Sequence, residues 1–163
     1  MKTRFLKIIS GIALTTMLTL ATQISVSAQS AQEQRGKEQE RLVGVWDVSL
    51  TGRSCATGAA LSTGRVIHMF TDGGTMTEIA ERANRSTGLG TWRHLGGRSY
   101  TTLRKFIEYT AAGGFNGTEV ITREIELSKN GDEFTATSTI EVFDAADQLT
   151  TTGCATATAT RFE

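Results

Sequence analysis

The stretch LVGVWDVSL, residues 42–50, alternates side chains around Trp46, one of only two tryptophans in the chain. A period of two is typical of a β-strand that buries one face. From Leu42 onward this period replaces the featureless polar run AQEQRGKEQER, residues 31–41, and it persists to the end of the chain. We therefore predict that Trp46 lies on the opening strand of an all-β domain and points inward.

Working outward from this strand, alternation and turn residues divide the rest of the domain into short antiparallel segments. Pairs such as Gly73-Gly74, Gly96-Gly97 and Asn130-Gly131 stand between them, and tight hairpins favour these residue types. The absence of proline fits strands that have a neighbour on both sides. The predicted strands are 42–51, 64–72, 75–82, 88–96, 98–110, 117–128, 132–143 and 150–162.

Closure of this sheet would remove both of its exposed edges, which an open sheet would leave unpaired. If the first and last strands pair antiparallel, one register with a small stagger brings Trp46 opposite Arg161 and Cys55 opposite Cys154. The predicted fold is therefore an eight-stranded antiparallel up-and-down barrel, closed by its first and last strands.

The N-terminus predicts export. Lys2, Arg4 and Lys7 precede an apolar run that ends in Val26-Ser27-Ala28, which is typical of a cleaved secretory signal peptide. The apolar run is too short for a membrane span. We predict a signal peptide over 1–28, a polar leader or short helix over 29–41 and a barrel domain over 42–163, in a secreted or periplasmic protein with a bacterial type of signal peptide.

Charge and cysteine content narrow the function classes. Residues 1–28 hold three of the 17 basic residues and none of the 17 acidic ones, so the remaining 14 against 17 give a net charge of −3. Nucleic-acid and membrane-surface partners are therefore not expected. In an oxidising compartment the chain's two cysteines, Cys55 and Cys154, predict a disulfide. A metal site is the alternative, but no CxxC spacing supports it.

The two ends of the domain resemble the lipocalins and the wider calycin superfamily. Gly44-Val45-Trp46 on the first strand and Arg161 in the closing TATRF match a pattern in which a Gly-x-Trp packs beneath an arginine of the last strand. A guanidinium over an indole face is stabilised by cation–π attraction. The resemblance implies structural roles for Gly44, Trp46 and Arg161, and an eight-stranded barrel around a lumen.

Alternation from Trp46 assigns the inward face of each strand. For residues 98–110 two faces compete, and we choose the one with Tyr100, Arg104 and Phe106 because its aromatic side chains are larger. The inward residues of the last strand are alanines, and those near the start of the fourth are Gly88 and Gly90, so we expect unfilled interior space. The inward set is unusually polar: it contains His68, Glu78, His94, Arg104 and Arg123.

Function follows less directly from these residues. We expect a small-molecule binding barrel for a partly apolar ligand, without a cofactor or metal, in which Phe70, Trp92 and Tyr100 supply contact area and His94 and Arg104 fix polar groups. The alternative for the aromatic residues is plain core packing.

Two other function classes remain open. The barrel also resembles the allene oxide cyclases in architecture, which implies a cyclase or isomerase with Glu78 and His68 as acid–base groups. A structural or interaction module would carry large apolar side chains on its outer face. Outward positions such as Thr122, Glu124 and Thr137 are polar instead, so we expect a monomer.

Overall fold

The computed structural model describes residues 41–162. The predicted signal peptide, residues 1–28, and residues 29–40 of the predicted leader lie outside the described residues. Arg41, the last residue of that leader, lies in a turn directly before the first strand. In the described part of the chain, no helix is long and apolar enough to cross a membrane.

Eight antiparallel strands form a closed barrel in which each strand pairs with its neighbours in chain order and the last pairs with the first. This confirms the predicted all-β class and up-and-down topology, which at this level fits a lipocalin-like barrel. The strands are β1 (Gly44–Arg53), β2 (Ala60–Phe70), β3 (Thr75–Ala80), β4 (Gly88–Gly96), β5 (Ser99–Tyr109), β6 (Phe115–Leu127), β7 (Glu133–Asp144) and β8 (Leu149–Arg161).

The closure between β1 and β8 has the predicted pairing of Trp46 with Arg161, but Cys154 lies opposite Arg53 and not Cys55, because the ladder has no stagger. Cys55, two residues beyond Arg53, forms the predicted disulfide with Cys154, and their Cα atoms are 5.2 Å apart. The two ends of the domain are therefore joined by backbone hydrogen bonds and by a covalent bond.

The first hairpin is longer than the sequence predicts. β2 begins at Ala60 rather than at residue 64, because its pairing with β1 continues past Gly64 to Arg53 opposite Ala60. All side chains from Ala60 to Arg65 are exposed, so neither face of this segment is buried. Because neither face of this segment is buried, its sequence does not alternate between apolar and polar residues. The sequence therefore does not indicate that the strand begins at Ala60.

The barrel end that carries Trp46 is closed by Arg161. Its guanidinium carbon lies 4.3 Å from the centroid of the Trp46 ring. Nη1 donates to the carbonyl of Val43 at 2.8 Å, and Nη2 donates to that of Arg41 at 2.7 Å. Gly44 permits this contact, since a Cβ there would lie 2.6 Å from Nη1 of Arg161 and its φ is +135°. The three structural residues implied by the lipocalin resemblance are thus brought together.

The interior divides into an apolar half and a polar half. At the closed end, a core of large apolar side chains fills the lumen: Leu42, Trp46, Phe70, Trp92, Tyr100, Leu127 and Phe134. Towards the opposite end, which we call the open end, β2, β3, β5 and β6 bury charged side chains instead. The open end is formed by the β1–β2, β3–β4, β5–β6 and β7–β8 connections.

The inward face chosen for β5 is confirmed, because Tyr100, Arg104 and Phe106 are buried while Leu103 and Ile107 are exposed. The outer surface is less uniformly polar than expected. In residues 122–126 of β6 and 133–141 of β7 the exposed side chains are threonine and glutamate. On β2 to β5, by contrast, several large apolar side chains are exposed: Ile67, Met69, Ile79, Leu89, Leu103 and Ile107.

Candidate functional site

A cavity of about 550 Å³ occupies the open half of the barrel. This is within the usual size range of small-molecule sites. Part of its wall is apolar, from Leu50, Val66, Ala80, Ile121, Ile140 and Ala155. Glu78, Arg85, Glu119 and Arg123 add charged side chains to this lining. With His68 and Arg104, which contact Glu78 in the barrel interior, they form what we call the lumen cluster: His68, Glu78, Arg85, Arg104, Glu119 and Arg123.

His68 and Glu78 form the centre of this cluster. They are directly opposite each other on β2 and β3, so both side chains point into the lumen at the same level. Nε2 of His68 lies 2.8 Å from Oε2 of Glu78, and neither side chain is accessible to solvent beyond 1%. The sequence predicted both residues as inward, and the structure brings them into contact.

Arg104 reaches the same carboxylate from β5. Its Nε lies 2.5 Å from Oε2 of Glu78, and its Nη1 donates to Oγ1 of Thr102 at 3.3 Å. Its Nη2 is buried and has no acceptor among the described residues. Gly90, opposite Arg104 on β4, makes room for it, since a Cβ on Gly90 would lie 2.7 Å from the Cβ of Arg104.

Arg85 and Glu119 belong to the cluster although sequence reasoning missed them. Nη2 of Arg85 is 3.4 Å from Oε1 of Glu78, and its Nη1 donates to Oε1 of Glu119 at 2.9 Å. The Arg85 guanidinium stacks on the ring of Phe106 at 3.8 Å. Arg85 lies in the β3–β4 connection, where no periodicity predicts a side chain's direction. Glu119 could have been found by extending the β6 alternation two residues back from Ile121.

Arg123 differs from the other two buried arginines of the cluster in having no carboxylate partner. Its Nε donates to Oγ of Ser138 at 2.8 Å, and its Nη1 lies 3.1 Å from Nε2 of His68. No aspartate or glutamate of residues 41–162 places an oxygen within ion-pair distance of its guanidinium. Arg123 is 2% exposed and lines the cavity.

The pKa values of the central pair are both lowered. Burial lowers the pKa of His68 to about 4; the hydrogen bond with Glu78 opposes this, and the charge of Arg123 adds to it. Burial alone would raise the pKa of Glu78, but the charge of Arg104 and the hydrogen bond with His68 outweigh it and hold this pKa well below its usual range. At neutral pH the pair is therefore a neutral imidazole that donates its Nε2 proton to an ionised carboxylate.

Glu108 places a second carboxyl group next to Glu119, although it does not itself line the cavity. Desolvation and the negative charge of Glu119 raise the pKa of Glu108 above its usual value. Arg82, at 59% exposure, pairs with Glu119 at 3.3 Å from the solvent side. Arg82 is therefore an accessible cation at the rim of the cavity, next to the carboxylate of Glu119.

The structure separates the residues that the sequence predicted as ligand contacts. Phe70, Trp92 and Tyr100 pack in the apolar core of the closed end, where Phe70 and Trp92 make an edge-to-face contact at 6.3 Å. His94 is half-buried near the end of β4 and bonds through Nε2 to the carbonyl of Gly97 at 2.9 Å. Of the five, Arg104 alone joins the lumen cluster.

The expectation that Gly88 and Gly90 leave interior space empty is wrong. A Cβ on Gly88 would lie 2.3 Å from the ring of Phe106, and one on Gly90 would lie 2.1 Å from the carbonyl oxygen of Leu103. These glycines accommodate neighbouring groups that already fill the space. The small residue of β8 that does border the cavity is Ala155.

A larger depression of about 680 Å³ lies on the outer surface of β1, β6, β7 and β8. Exposed side chains such as Ser49, Thr137 and Thr158 line it. These hydroxyls are hydrated in the free protein, so they lack the desolvated charges that distinguish the lumen. We therefore take the lumen as the candidate site.

In the described part of the chain, no group of three or more histidine, cysteine, aspartate or glutamate side chains is placed to hold a metal ion. Comparison with known proteins gives no further guide to the site: no protein-family profile matches the chain, and no curated protein is significantly similar in sequence.

Proposed function

We propose that the protein is an exported binding protein that holds one small, partly apolar molecule in the open half of its barrel. The observation that carries this proposal is the cavity itself, whose lining combines apolar side chains with buried charged ones. Buried charges are costly, and apolar side chains of similar volume would stabilise a purely structural barrel at least as well. A ligand with an apolar body and a polar group uses both parts of this lining.

Export and family membership are part of the same proposal. The disulfide between Cys55 and Cys154 suits an oxidising compartment. Membership of the calycin superfamily is supported by Arg161 stacked on Trp46 and by the up-and-down topology. We also propose that the protein acts as a monomer, with the hydroxyl-rich and acidic outer faces of β6 and β7 in water.

Filling the cavity tests the binding function. Ala155 is 9% exposed and borders the cavity, so Ala155→Phe should occupy ligand space. We expect wild-type protein to bind the neutral fluorescent probe N-phenyl-1-naphthylamine, and Ala155→Phe to bind it at least about tenfold more weakly, a loss of about 1.4 kcal/mol. Organic extracts of protein purified from its native host should also contain a co-purifying compound, detectable by mass spectrometry.

Thr158→Phe is the matched control, since Thr158 lies on the same strand and faces outward. It should bind the probe like wild type. Equal binding by a folded Ala155→Phe variant, or no binding by wild type, would contradict the proposal.

An enzymatic function of the cyclase or isomerase type is the second candidate, favoured by the buried contact between His68 and Glu78, of which Glu78 lines the cavity. Their lowered pKa values weaken this candidate, because both groups are then poor bases near neutral pH. Loss of turnover in Glu78→Gln with retained ligand affinity would favour it over simple binding.

A further inference from the structure

The lumen cluster carries an excess of positive charge. Three arginines have side chains that are at most 5% exposed, Arg85, Arg104 and Arg123, and they face two buried carboxylates, Glu78 and Glu119. His68 adds no compensating charge because it is neutral at pH 7. Within the described residues, buried guanidiniums therefore outnumber the buried carboxylates that could pair with them.

The unpaired charge is localised at Arg123. The two carboxylates of the cluster are already engaged, Glu78 by His68, Arg104 and Arg85, and Glu119 by Arg85 and Arg82. The proton on Nε2 of His68 points to Glu78, so Nη1 of Arg123 faces a nitrogen that is already a donor. The other ring nitrogen, Nδ1, is 3.5 Å away, beyond the usual hydrogen-bond range.

Arg123 keeps its charge under physiological conditions. Burial, with repulsion from Arg104, lowers its pKa to about 9, and attraction to Glu78 opposes this. A charged guanidinium with one good hydrogen bond, to Ser138, borders a cavity large enough for a small molecule. Among the described residues, such a group therefore has a positive charge and donors that no carboxylate of the protein uses.

We propose that Arg123 binds a carboxylate group of the ligand, so that the molecule held in the barrel is a partly apolar organic acid. The planar guanidinium fork matches the two oxygens of a carboxylate. This inference rests on the proposed binding function and specifies its ligand class.

The strand directions also give the orientation of the bound acid. Along β6 the chain runs from the open end to the closed end, so Ile121 lies nearer the mouth than Arg123. By the same argument Val66 on β2, Ala80 on β3 and Ile140 on β7 lie nearer the mouth than His68, Glu78 and Ser138 on the same strands. The carboxylate therefore enters first and the apolar body lies behind it, against these side chains.

Three probes with one hydrocarbon body test this ligand class: 4-phenylbutanoate, 4-phenylbutanol and 4-phenylbutylamine, titrated calorimetrically into wild-type protein. We expect the carboxylate to bind about tenfold or more tightly than the alcohol, as a charge-assisted hydrogen-bonded pair implies, and the amine to bind most weakly. Equal affinities for carboxylate and alcohol would overturn the inference while leaving the binding function intact. No binding of any probe, together with no N-phenyl-1-naphthylamine binding, would instead remove the binding function.

Two variants then locate the charge that is responsible. In Arg123→Gln the carboxylate should bind no better than the alcohol, and the affinity for the alcohol should be unchanged. Arg82→Gln, which removes an accessible cation at the rim, should keep the preference. A preference that survives Arg123→Gln but disappears in Arg82→Gln would assign it to the field of the rim and overturn the role of Arg123. Arg123→Met is a second variant, which keeps a side chain of similar shape but removes the charge. The comparison of the three probes on wild-type protein requires neither variant.

Discussion

His68 is a neutral imidazole inside a cluster of charges, and this has a consequence for stability. Its pKa is about 4 in the folded protein against an ordinary value of 6.5. Between these values the unfolded chain binds a proton that the folded protein does not, so acidification favours unfolding. The pKa of Glu78 is lowered from 4.5, so protonation of Glu78 reduces the free energy of unfolding only when the pH falls below 4.5.

We predict that the free energy of unfolding falls by about 2 kcal/mol from pH 7 to pH 5 because of His68 alone. Urea unfolding at pH 5, 6 and 7 measures this slope. His68→Gln keeps a donor for Glu78 and should remove most of the slope. His94→Gln, which changes the other of the chain's two histidines, should retain it. A slope that is the same in His68→Gln and wild type would show that other groups cause it.

For individual residues of the lumen cluster, the sequence predicted which side chains point inward but not what they contact. Alternation placed His68, Glu78, Arg104 and Arg123 in the lumen. It could not show that Arg123 has no carboxylate partner, because that depends on which of several neighbouring side chains pairs with Glu78. Arg85 was missed altogether, since its direction is set by stacking on Phe106 rather than by strand periodicity.

Among the elements, β4 and β5 lie close together at Gly90. A Cβ there would lie 2.1 Å from the carbonyl oxygen of Leu103, and backbone cannot give way as a flexible side chain can. Gly90→Ala should therefore separate the two strands and displace Arg104. We expect a loss of about 2–3 kcal/mol in the free energy of unfolding, as for other overpacking substitutions, measured by urea unfolding.

Gly64→Ala is the control for this prediction. Gly64 is also within a strand, but a Cβ there meets no atom within 4 Å. Its substitution should change stability by less than about 1 kcal/mol, since Gly and Ala differ mainly in backbone entropy. Similar losses for the two variants would mean that strand glycines in general, rather than the close approach at Gly90, determine the effect.

The strand boundaries show where element prediction succeeds. They are found well where one face is buried, as on β6, whose predicted range 117–128 compares with Phe115–Leu127. They fail at the start of β2, where both faces are exposed and backbone pairing alone defines the strand.

For the whole molecule, the disulfide joins residues 99 apart in sequence and covers most of the domain. Closing so long a loop restricts the unfolded chain strongly, and the chain-entropy relation gives about 4.7 kcal/mol of stabilisation. We predict that the Cys55→Ser, Cys154→Ser double variant loses about this amount, measured by urea unfolding against oxidised wild type.

Wild-type protein in a reductant that leaves the fold intact should behave like the double variant, and reductant should not affect the double variant itself. The barrel should still close at moderate temperature, because the β1–β8 ladder is independent of the sulfur atoms. Stability that does not change on reduction would indicate that the unfolded chain is already restricted without the bond.

The sequence by itself determined the number of strands, their order and the closure of β1 on β8, because burial of one face imposes a period of two and turn residues mark the connections. It also predicted the disulfide, from two cysteines that the same register brings together. Only the tertiary structure decided which half of the lumen is filled. The aromatic side chains expected at the ligand meet in the closed-end core, while the charges gather at the open end. That division depends on how side chains from several strands share one volume, and periodicity along a single strand does not contain this information.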